Sequence, residues 1–238
     1  MIFTRYAGIF VVVLLFIWII LSFTMSKVNV PMTELAYEKA EESRPLSPIN
    51  PVEAGEKLTD TIVYTFESST IDKWVFFDFS RGSVVSDISS FKDPKGWDLA
   101  FRRAKIASNG GGVNKMGHVA IAKLNTTDFD SVTSVPEDAK FMKDTRPSPG
   151  ADPKNASLDK WYSYNFMDHH LTSHKKVFII KTAEGNYAKM QIINYYCKKG
   201  GQRLPGCYTI KYEYQGKGSK SFVKDVSEPM NQQVKKTG

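Results

Sequence analysis

Short runs of β-branched and aromatic residues fill the chain from Thr61 onward, separated by Gly, Pro, Asn and Asp. Such runs, bounded by turn-forming residues, are typical of β-strands. The clearest runs lie at 61–68, 74–79, 118–124, 176–182, 187–197 and 207–215. The pattern predicts a mainly β domain, which we assign to residues 59–216, followed by a polar C-terminal tail at 217–238.

The last three runs predict an antiparallel meander. Residues 183–186, Ala-Glu-Gly-Asn, form a tight loop between the first two of them. In the third run, tyrosine and isoleucine at the even positions alternate with polar residues at the odd positions. This period of two indicates a sheet with one buried face and one solvated face.

An uncharged, strongly apolar segment of 21 residues lies between Arg5 and Lys27. A helix needs about 20 apolar residues to cross a bilayer, so we predict a transmembrane signal anchor over residues 1–27. A cleaved signal peptide is the alternative, but its apolar core is usually shorter and a small-residue cleavage site follows it. Arg5 favours a cytoplasmic N terminus, which exports the rest of the chain.

Residues 28–58 predict a short helix and a proline-rich tether between the anchor and the β domain. Residues 31–42 begin with proline and are rich in helix formers. Pro45, Pro48 and Pro51 then favour an extended, semi-rigid spacer. The pattern fits an inert stalk as well as a strap that lies along a partner protein.

The overall composition excludes several classes of protein. With 42% hydrophobic and 13% aromatic residues in 238, the chain is too apolar to be disordered. Its net charge of +7 is spread along the sequence, whereas nucleic-acid binders concentrate basic residues in one arm or patch. We therefore expect no nucleic-acid partner.

Cys197 and Cys207 lie near the junction of the second and third strands of the predicted meander. A hairpin folded there brings their Cα atoms close enough for a disulfide. Two reduced thiols are the alternative, and a metal site is less favoured because no histidine flanks either cysteine. A disulfide implies an oxidising compartment, in agreement with export.

Motifs of common catalytic sites are missing from the sequence. It contains no G-x-S-x-G, no H-E-x-x-H and no Walker loop. We therefore expect a protein that is not an enzyme, and we assign neither catalytic nor metal-binding residues.

The segment Gly-Trp-Asp-Leu-Ala-Phe-Arg-Arg at 96–103, followed by Ser-Asn-Gly-Gly-Gly at 108–112, resembles the HmuY-like family of bacterial haem-binding proteins. Residues 74–85 and 181–196 are similar to further strands of that family. The resemblance extends over about residues 60–215 and implies an antiparallel β-sandwich. From the motif itself we expect Trp97, Leu99 and Phe101 to face a core and Asp98 to cap or bridge a loop.

The resemblance also implies haem, which family members hold between two axial histidine or methionine side chains. The candidate ligands in this sequence are Met116 and His118, just past the glycine turn, and His169, His170 and His174, before the meander. Imidazole binds haem iron well. Histidines in solvent-exposed loops without a ligand role are the alternative. Covalent attachment is excluded because the chain has no C-x-x-C-H.

Two functions remain open at this stage. The first is a non-catalytic accessory subunit of a bacterial inner-membrane complex, such as a respiratory or photosynthetic electron-transport complex. Its anchor would span the membrane once, and its periplasmic β domain would dock on partner subunits. The second is a membrane-tethered periplasmic haem-binding protein with His or Met ligation.

Overall fold

The computed structural model describes residue 47 and residues 58–88, 90–199 and 202–224. These residues form strands and no α-helix. The strands are β1 Ile62–Glu67, β2 Val75–Asp78, β3 Ser83–Val85, β4 Leu99–Arg102, β5 Lys105–Ser108, β6 Ala120–Lys123, β7 Tyr162–Asn165, β8 His170–Ser173, β9 Val177–Lys181, β10 Tyr187–Lys199 and β11 Gln202–Gln215. The prediction of a mainly β domain is confirmed.

The strands form three antiparallel sheets. The largest has the order β1-β11-β10-β9-β6, and the second has the order β3-β2-β4-β5. Strands β7 and β8 pair only with each other. In the large sheet, β9, β10 and β11 are consecutive antiparallel neighbours, so the predicted meander is confirmed.

Each of the six predicted runs contains a strand, but strands β7 and β8 were not predicted. Tyr-Ser-Tyr-Asn in β7 is mostly exposed, and His-Leu-Thr-Ser in β8 is mostly half-buried. Because neither face of this hairpin is fully buried, its sequence lacks the alternation of apolar and polar residues by which strands are recognised.

One apolar cluster contains buried side chains from both large sheets. The ring of Phe66 on β1 contacts that of Phe101 on β4, with centroids 4.9 Å apart. Phe77 on β2 contacts Tyr212 on β11 at 5.6 Å, and the Tyr212 hydroxyl donates a hydrogen bond to the carbonyl of Gly82 at 2.8 Å. The even-numbered residues of β11 therefore face this core, as their alternation predicted. The prediction that the other face is solvated was wrong, because Thr209, Glu213 and Gln215 are buried as well.

The Trp-Asp-Leu-Ala-Phe segment divides its side chains between two clusters. Leu99 and Phe101 are fully buried in the core shared by the two large sheets. Trp97 is also buried, but it packs with Phe76 in another cluster, because strand β4 begins only at Leu99. The Asp98 carboxylate accepts hydrogen bonds from two backbone N–H groups in different loops, as expected for a residue that bridges loops.

The predicted disulfide between Cys197 and Cys207 is confirmed. The Cα atoms of the two cysteines are 5.4 Å apart, within the usual range for a disulfide. Cys207 is fully buried. The bond therefore joins β10 and β11 inside the sheet.

The predicted membrane anchor at 1–27 lies outside the described residues, as does the tether apart from Ser47 and Leu58. Within the part of the chain that is described, no helix is long and apolar enough to cross a membrane. Ser47 exchanges hydrogen bonds with Thr65 on the edge strand β1. At the other end, Phe222 is buried against the large sheet, and the rest of the predicted tail from 225 lies outside the described residues.

Candidate functional site

A cavity of about 680 Å³ opens beside the β7–β8 hairpin. We call it the hairpin cavity. Its other walls come from the β4–β5 turn and from the portions of β10 and β11 near the disulfide. The lining residues are Arg103, Ala104, Lys105, Tyr162, Tyr164, His169, Leu171, Tyr195, Tyr196, Arg203 and Pro205. Its volume is typical of a site for a small molecule or cofactor.

Hydrogen bonds to the large sheet hold strand β8 in place. The Ser173 hydroxyl donates to the carbonyl of Ile192 at 2.6 Å. The backbone N–H of Leu171 donates to the Tyr196 hydroxyl at 2.8 Å. The hairpin is therefore attached along one strand, while Phe166 and Met167 at its tip are 76% and 87% exposed.

Buried aromatic side chains fix the β4–β5 turn on the opposite wall. The Tyr208 hydroxyl donates to the carbonyl of Arg103 at 2.6 Å, and the Trp161 indole N–H donates to that of Ala104 at 3.1 Å. Arg103 has a φ of +50°, a conformation that costs free energy for a residue with a side chain. The two hydrogen bonds stabilise this turn.

A β-bulge brings two neighbouring tyrosines to the same wall. Successive residues of a regular strand point to opposite faces, yet both Tyr195 and Tyr196 line the cavity. The pairing of β10 with β11 shifts on both sides of Asn194, and the Asn194 side chain accepts hydrogen bonds from the N–H groups of both tyrosines. The rings contact each other with centroids 5.1 Å apart.

The tyrosines of this wall remain neutral at physiological pH. Burial raises the pKa of Tyr195 to about 12, and burial also raises the pKa of Tyr196. The wall therefore offers flat aromatic surface and hydroxyl groups without negative charge.

Positive charge surrounds the aromatic wall. Arg103, Lys105 and Arg203 line the cavity, and no carboxylate does so among the described residues. Lys105 forms an ion pair with Asp152 outside the lining. The Arg203 guanidinium lies over the Tyr196 ring at 4.3 Å. A planar ligand with acidic substituents matches this combination of aromatic surface and cations.

One of the candidate histidines lines this cavity, and a second packs against its wall. His169 lines the cavity, and its Nδ1 forms a hydrogen bond with the Tyr164 hydroxyl. That contact leaves Nε2 as the nitrogen available to a ligand. His170 stacks on Tyr196; its Nδ1 is buried and has no hydrogen-bond partner among the described residues. Burial, followed by the charge of Arg203, lowers the pKa of His170, which favours the neutral ring.

The remaining candidates lie elsewhere. His174 is exposed, and its Nε2 contacts the Ser163 hydroxyl at 2.7 Å. Met116 is 71% exposed on the segment between β5 and β6. His118 lines a second cavity of about 650 Å³, together with Glu137 and three lysines. The two histidine-containing segments therefore do not line a common cavity.

Sequence reasoning did not identify the tyrosines and arginines of the hairpin cavity. They come from four separate segments of the chain, and only the fold brings them together. A local signal existed at Tyr195-Tyr196, but adjacent aromatic residues in a strand are ordinarily assigned to opposite faces.

Comparison with known proteins shows the family to which the chain belongs. The model of the family described as HmuY protein matches residues 70–212. The chain belongs to the HmuY family. The match includes β2 to β10 and most of β11, and therefore every wall of the hairpin cavity.

Solved structures of other HmuY-like proteins share the fold. The apo HmuY analogue of Tannerella forsythia is 17% identical, with a TM-score of 0.52, and the match covers 67% of this chain and 97% of that one. A predicted HmuY-like haem-binding protein of Bacteroides vulgatus is 19% identical, with a TM-score of 0.50 and coverage of 69% and 97%. A predicted lipoprotein of Bacteroides fragilis is 16% identical, with a TM-score of 0.50 and coverage of 68% and 91%. No curated protein gives a significant match.

Proposed function

We propose that this HmuY-family protein binds haem non-covalently in the hairpin cavity. The observation that carries the proposal is the combination, in one cavity, of a tyrosine wall, arginines that form no salt bridge with the described residues, and an imidazole with an available nitrogen. Each of these features matches one part of the haem group: the macrocycle, the propionates and the iron.

The tyrosines hold the macrocycle. Tyr195 and Tyr196 provide neighbouring aromatic surfaces on β10, and Tyr162 and Tyr164 face them from the hairpin. The Trp161 ring supports this group from behind, 5.7 Å from Tyr195 and 4.9 Å from Tyr162. Burial of a large flat aromatic ligand against such rings supplies most of the binding free energy.

The arginines bind the propionates. Arg103 on the β4–β5 turn and Arg203 on β11 both line the cavity. Guanidinium groups form strong, often bidentate hydrogen bonds with carboxylates. The two arginines therefore orient the group so that its carboxylates face the cations.

His169 is the residue of this cavity that would bind the haem iron. Its Nδ1 contact with Tyr164 orients the ring and leaves Nε2 for a ligand. His170, the other candidate ligand on this hairpin, stacks on Tyr196 and does not line the cavity. Bound haem iron supplies a redox-active centre whose potential the axial ligands set.

The relatives support haem as the ligand class. The Bacteroides vulgatus neighbour is itself described as a HmuY-like haem-binding protein. Its low identity to this chain establishes only the common fold. For this protein, the choice of haem therefore depends on the lining of the hairpin cavity together with membership of the family.

The domain acts outside the cytoplasm in this proposal, as a β-sandwich behind a single-pass inner-membrane anchor at 1–27. The Cys197–Cys207 disulfide favours an oxidising compartment such as the periplasm. The Bacteroides fragilis neighbour is described as a lipoprotein, a class that is also attached to membranes. Docking of the β domain on partner subunits of an inner-membrane complex stays a prediction.

A haemin titration of the full chain in mild detergent, followed by absorbance, tests the proposal. Wild-type protein is expected to give a saturable, shifted Soret band. His169→Ala is expected to change the position of that band and weaken binding at least tenfold. His118→Ala is the matched control and is expected to leave both unchanged. Equal loss with His118→Ala, or a wild-type titration without saturation, would overturn the proposal.

A further inference from the structure

Three carboxylates from both large sheets meet at one end of the core. Asp78 ends β2, Asp98 precedes β4, and Glu184 lies in the loop between β9 and β10. One carboxylate oxygen from each residue can be chosen so that all three lie within 4.8 Å of one another. Asp78 and Asp98 are buried, and Glu184 is exposed, so the group opens to solvent on one side.

Backbone hydrogen bonds hold the two aspartates in place. Asp98 accepts from the N–H of Phe79 at 2.9 Å and from that of Ala183 at 2.7 Å. Asp78 accepts from Ser80 and Arg81, always through Oδ1. The Oδ2 atom of Asp78 therefore has no hydrogen-bond donor among the described residues.

A buried hydroxyl provides an independent observation. Thr182 is fully buried, and its Oγ1 has no hydrogen-bond partner in the described part of the chain. The Thr182 side chain lies near the Glu184 carboxylate and lowers its pKa. A buried polar atom without a partner costs free energy, and a cation bound to this oxygen would offset that cost.

Lys95 and Arg81 interact with Glu184 and Asp78 only at longer range. No lysine or arginine forms a salt bridge with any of the three in the ranges that the structure describes. Burial, followed by the charges of Asp78 and Glu184, raises the pKa of Asp98. A bound cation or a retained proton can relieve this repulsion.

We propose that Asp78, Asp98, Glu184 and the Thr182 hydroxyl bind a calcium ion. All the donor atoms are hard oxygens, which favour Ca²⁺ or Mg²⁺ over zinc and copper. Because the donors come from separate loops in an irregular arrangement, they suit the flexible coordination of Ca²⁺ better than the strict octahedron of Mg²⁺. The ion joins the end of β2 to the β9–β10 loop and so connects the two large sheets. Assignment of metal ligands from sequence spacing did not identify this site.

Tyr214 provides a luminescence test of the proposed site. Its hydroxyl accepts a hydrogen bond at 2.7 Å from Asn186, in the same β9–β10 loop as Glu184. Burial raises the pKa of Tyr214 to about 12, and Glu184, Asp98 and Asp78 add to that increase. Because Tyr214 interacts electrostatically with all three carboxylates, we expect it to sensitise emission from a Tb³⁺ ion in the proposed site.

The experiment is a Tb³⁺ titration of the chelator-treated full chain in mild detergent, with excitation of the aromatic residues. Saturable emission is expected, and Ca²⁺ is expected to displace Tb³⁺ more effectively than Mg²⁺. Glu184→Gln, an exposed change, should lower Tb³⁺ affinity at least tenfold, and Asp78→Asn should do the same. Asp159→Asn, an exposed change outside the group, should have no effect. Failure of Ca²⁺ to compete, or wild-type affinity in Glu184→Gln, would show that the group holds a proton and would overturn the proposal.

Discussion

The imidazole of His170 lies flat on the phenol ring of Tyr196, with centroids 4.7 Å apart and an angle of 12° between the planes. The Arg203 guanidinium contacts the same phenol ring. Burial and this neighbouring positive charge both favour the neutral imidazole, so they lower the pKa of His170. The protonation state of His170 on the hairpin therefore depends on its contacts with the cavity wall.

This coupling predicts a pH-dependent stability. The pKa of His170 in the folded protein lies below its ordinary value near 6.5. At a pH between these two pKa values the unfolded chain therefore binds more protons than the folded protein. Stability falls as the pH drops from the unfolded pKa through the folded pKa. Urea unfolding between about pH 8 and pH 5 should show the stability advantage of wild type over His170→Gln shrinking toward low pH. A stability difference between wild type and His170→Gln that does not change with pH would contradict the lowered pKa of His170.

The arginines predict a ligand-specific loss of affinity. Each charge-assisted hydrogen bond to a carboxylate contributes about 1.5–3 kcal/mol. The double variant Arg103→Gln/Arg203→Gln should therefore bind haemin at least tenfold more weakly than wild type. Lys217→Gln, an exposed change elsewhere, is the matched control.

Haem dimethyl ester, which lacks free carboxylates, distinguishes this effect from a general disturbance of the cavity. Its affinity should be nearly the same for wild type and the double arginine variant. An equal loss of affinity for the ester would mean that the arginines support the cavity wall and do not bind the propionates.

The disulfide predicts a measurable loss of stability. It closes a loop with a sequence separation of 10 residues, for which loop entropy gives about 2–3 kcal/mol. Cys197→Ser/Cys207→Ser should lower the free energy of unfolding in urea by that amount. Reductant should destabilise the wild type toward the variant and leave the variant unchanged. Wild-type stability in the variant would show that the bond adds nothing to the fold.

The two large sheets are also joined by a buried hydroxyl. Tyr212 on β11 donates to the Gly82 carbonyl beside β3, and Tyr212→Phe removes this donor without changing the ring. We expect a loss of about 1 kcal/mol in urea unfolding. Tyr187→Phe is a suitable control because the Tyr187 hydroxyl makes no hydrogen bond with the described residues. Equal effects of the two variants would refute a specific contribution from the Gly82 contact.

The meander and the disulfide were predictable because their signals are local. Alternation in 207–215 marks the buried face directly, and two cysteines across one hairpin restrict the geometry. The family motif around Trp97 indicated the rest of the fold. Asp98 is a further success, since a carboxylate inside an apolar strand pattern has to find backbone donors to be buried.

The hairpin cavity was not predictable from local patterns. The bulge at Asn194 turns Tyr195 and Tyr196 to one wall, and no alternation rule anticipates it. The hairpin β7–β8 has polar residues on both faces, so its strands give no periodic signal. The histidines were recognised as candidates by residue type, but only the fold shows that His169 lines the hairpin cavity and His118 lines a different one.

The most direct test of haem binding in the hairpin cavity is the position of the iron. Crystals of the full chain with haemin, measured at the iron absorption edge, give an anomalous peak for that atom alone. We predict one peak in the hairpin cavity at bonding distance from His169 Nε2, with the propionates near Arg103 and Arg203. A peak beside Met116 and His118, or no ordered iron in crystals grown with excess haemin, would contradict the account.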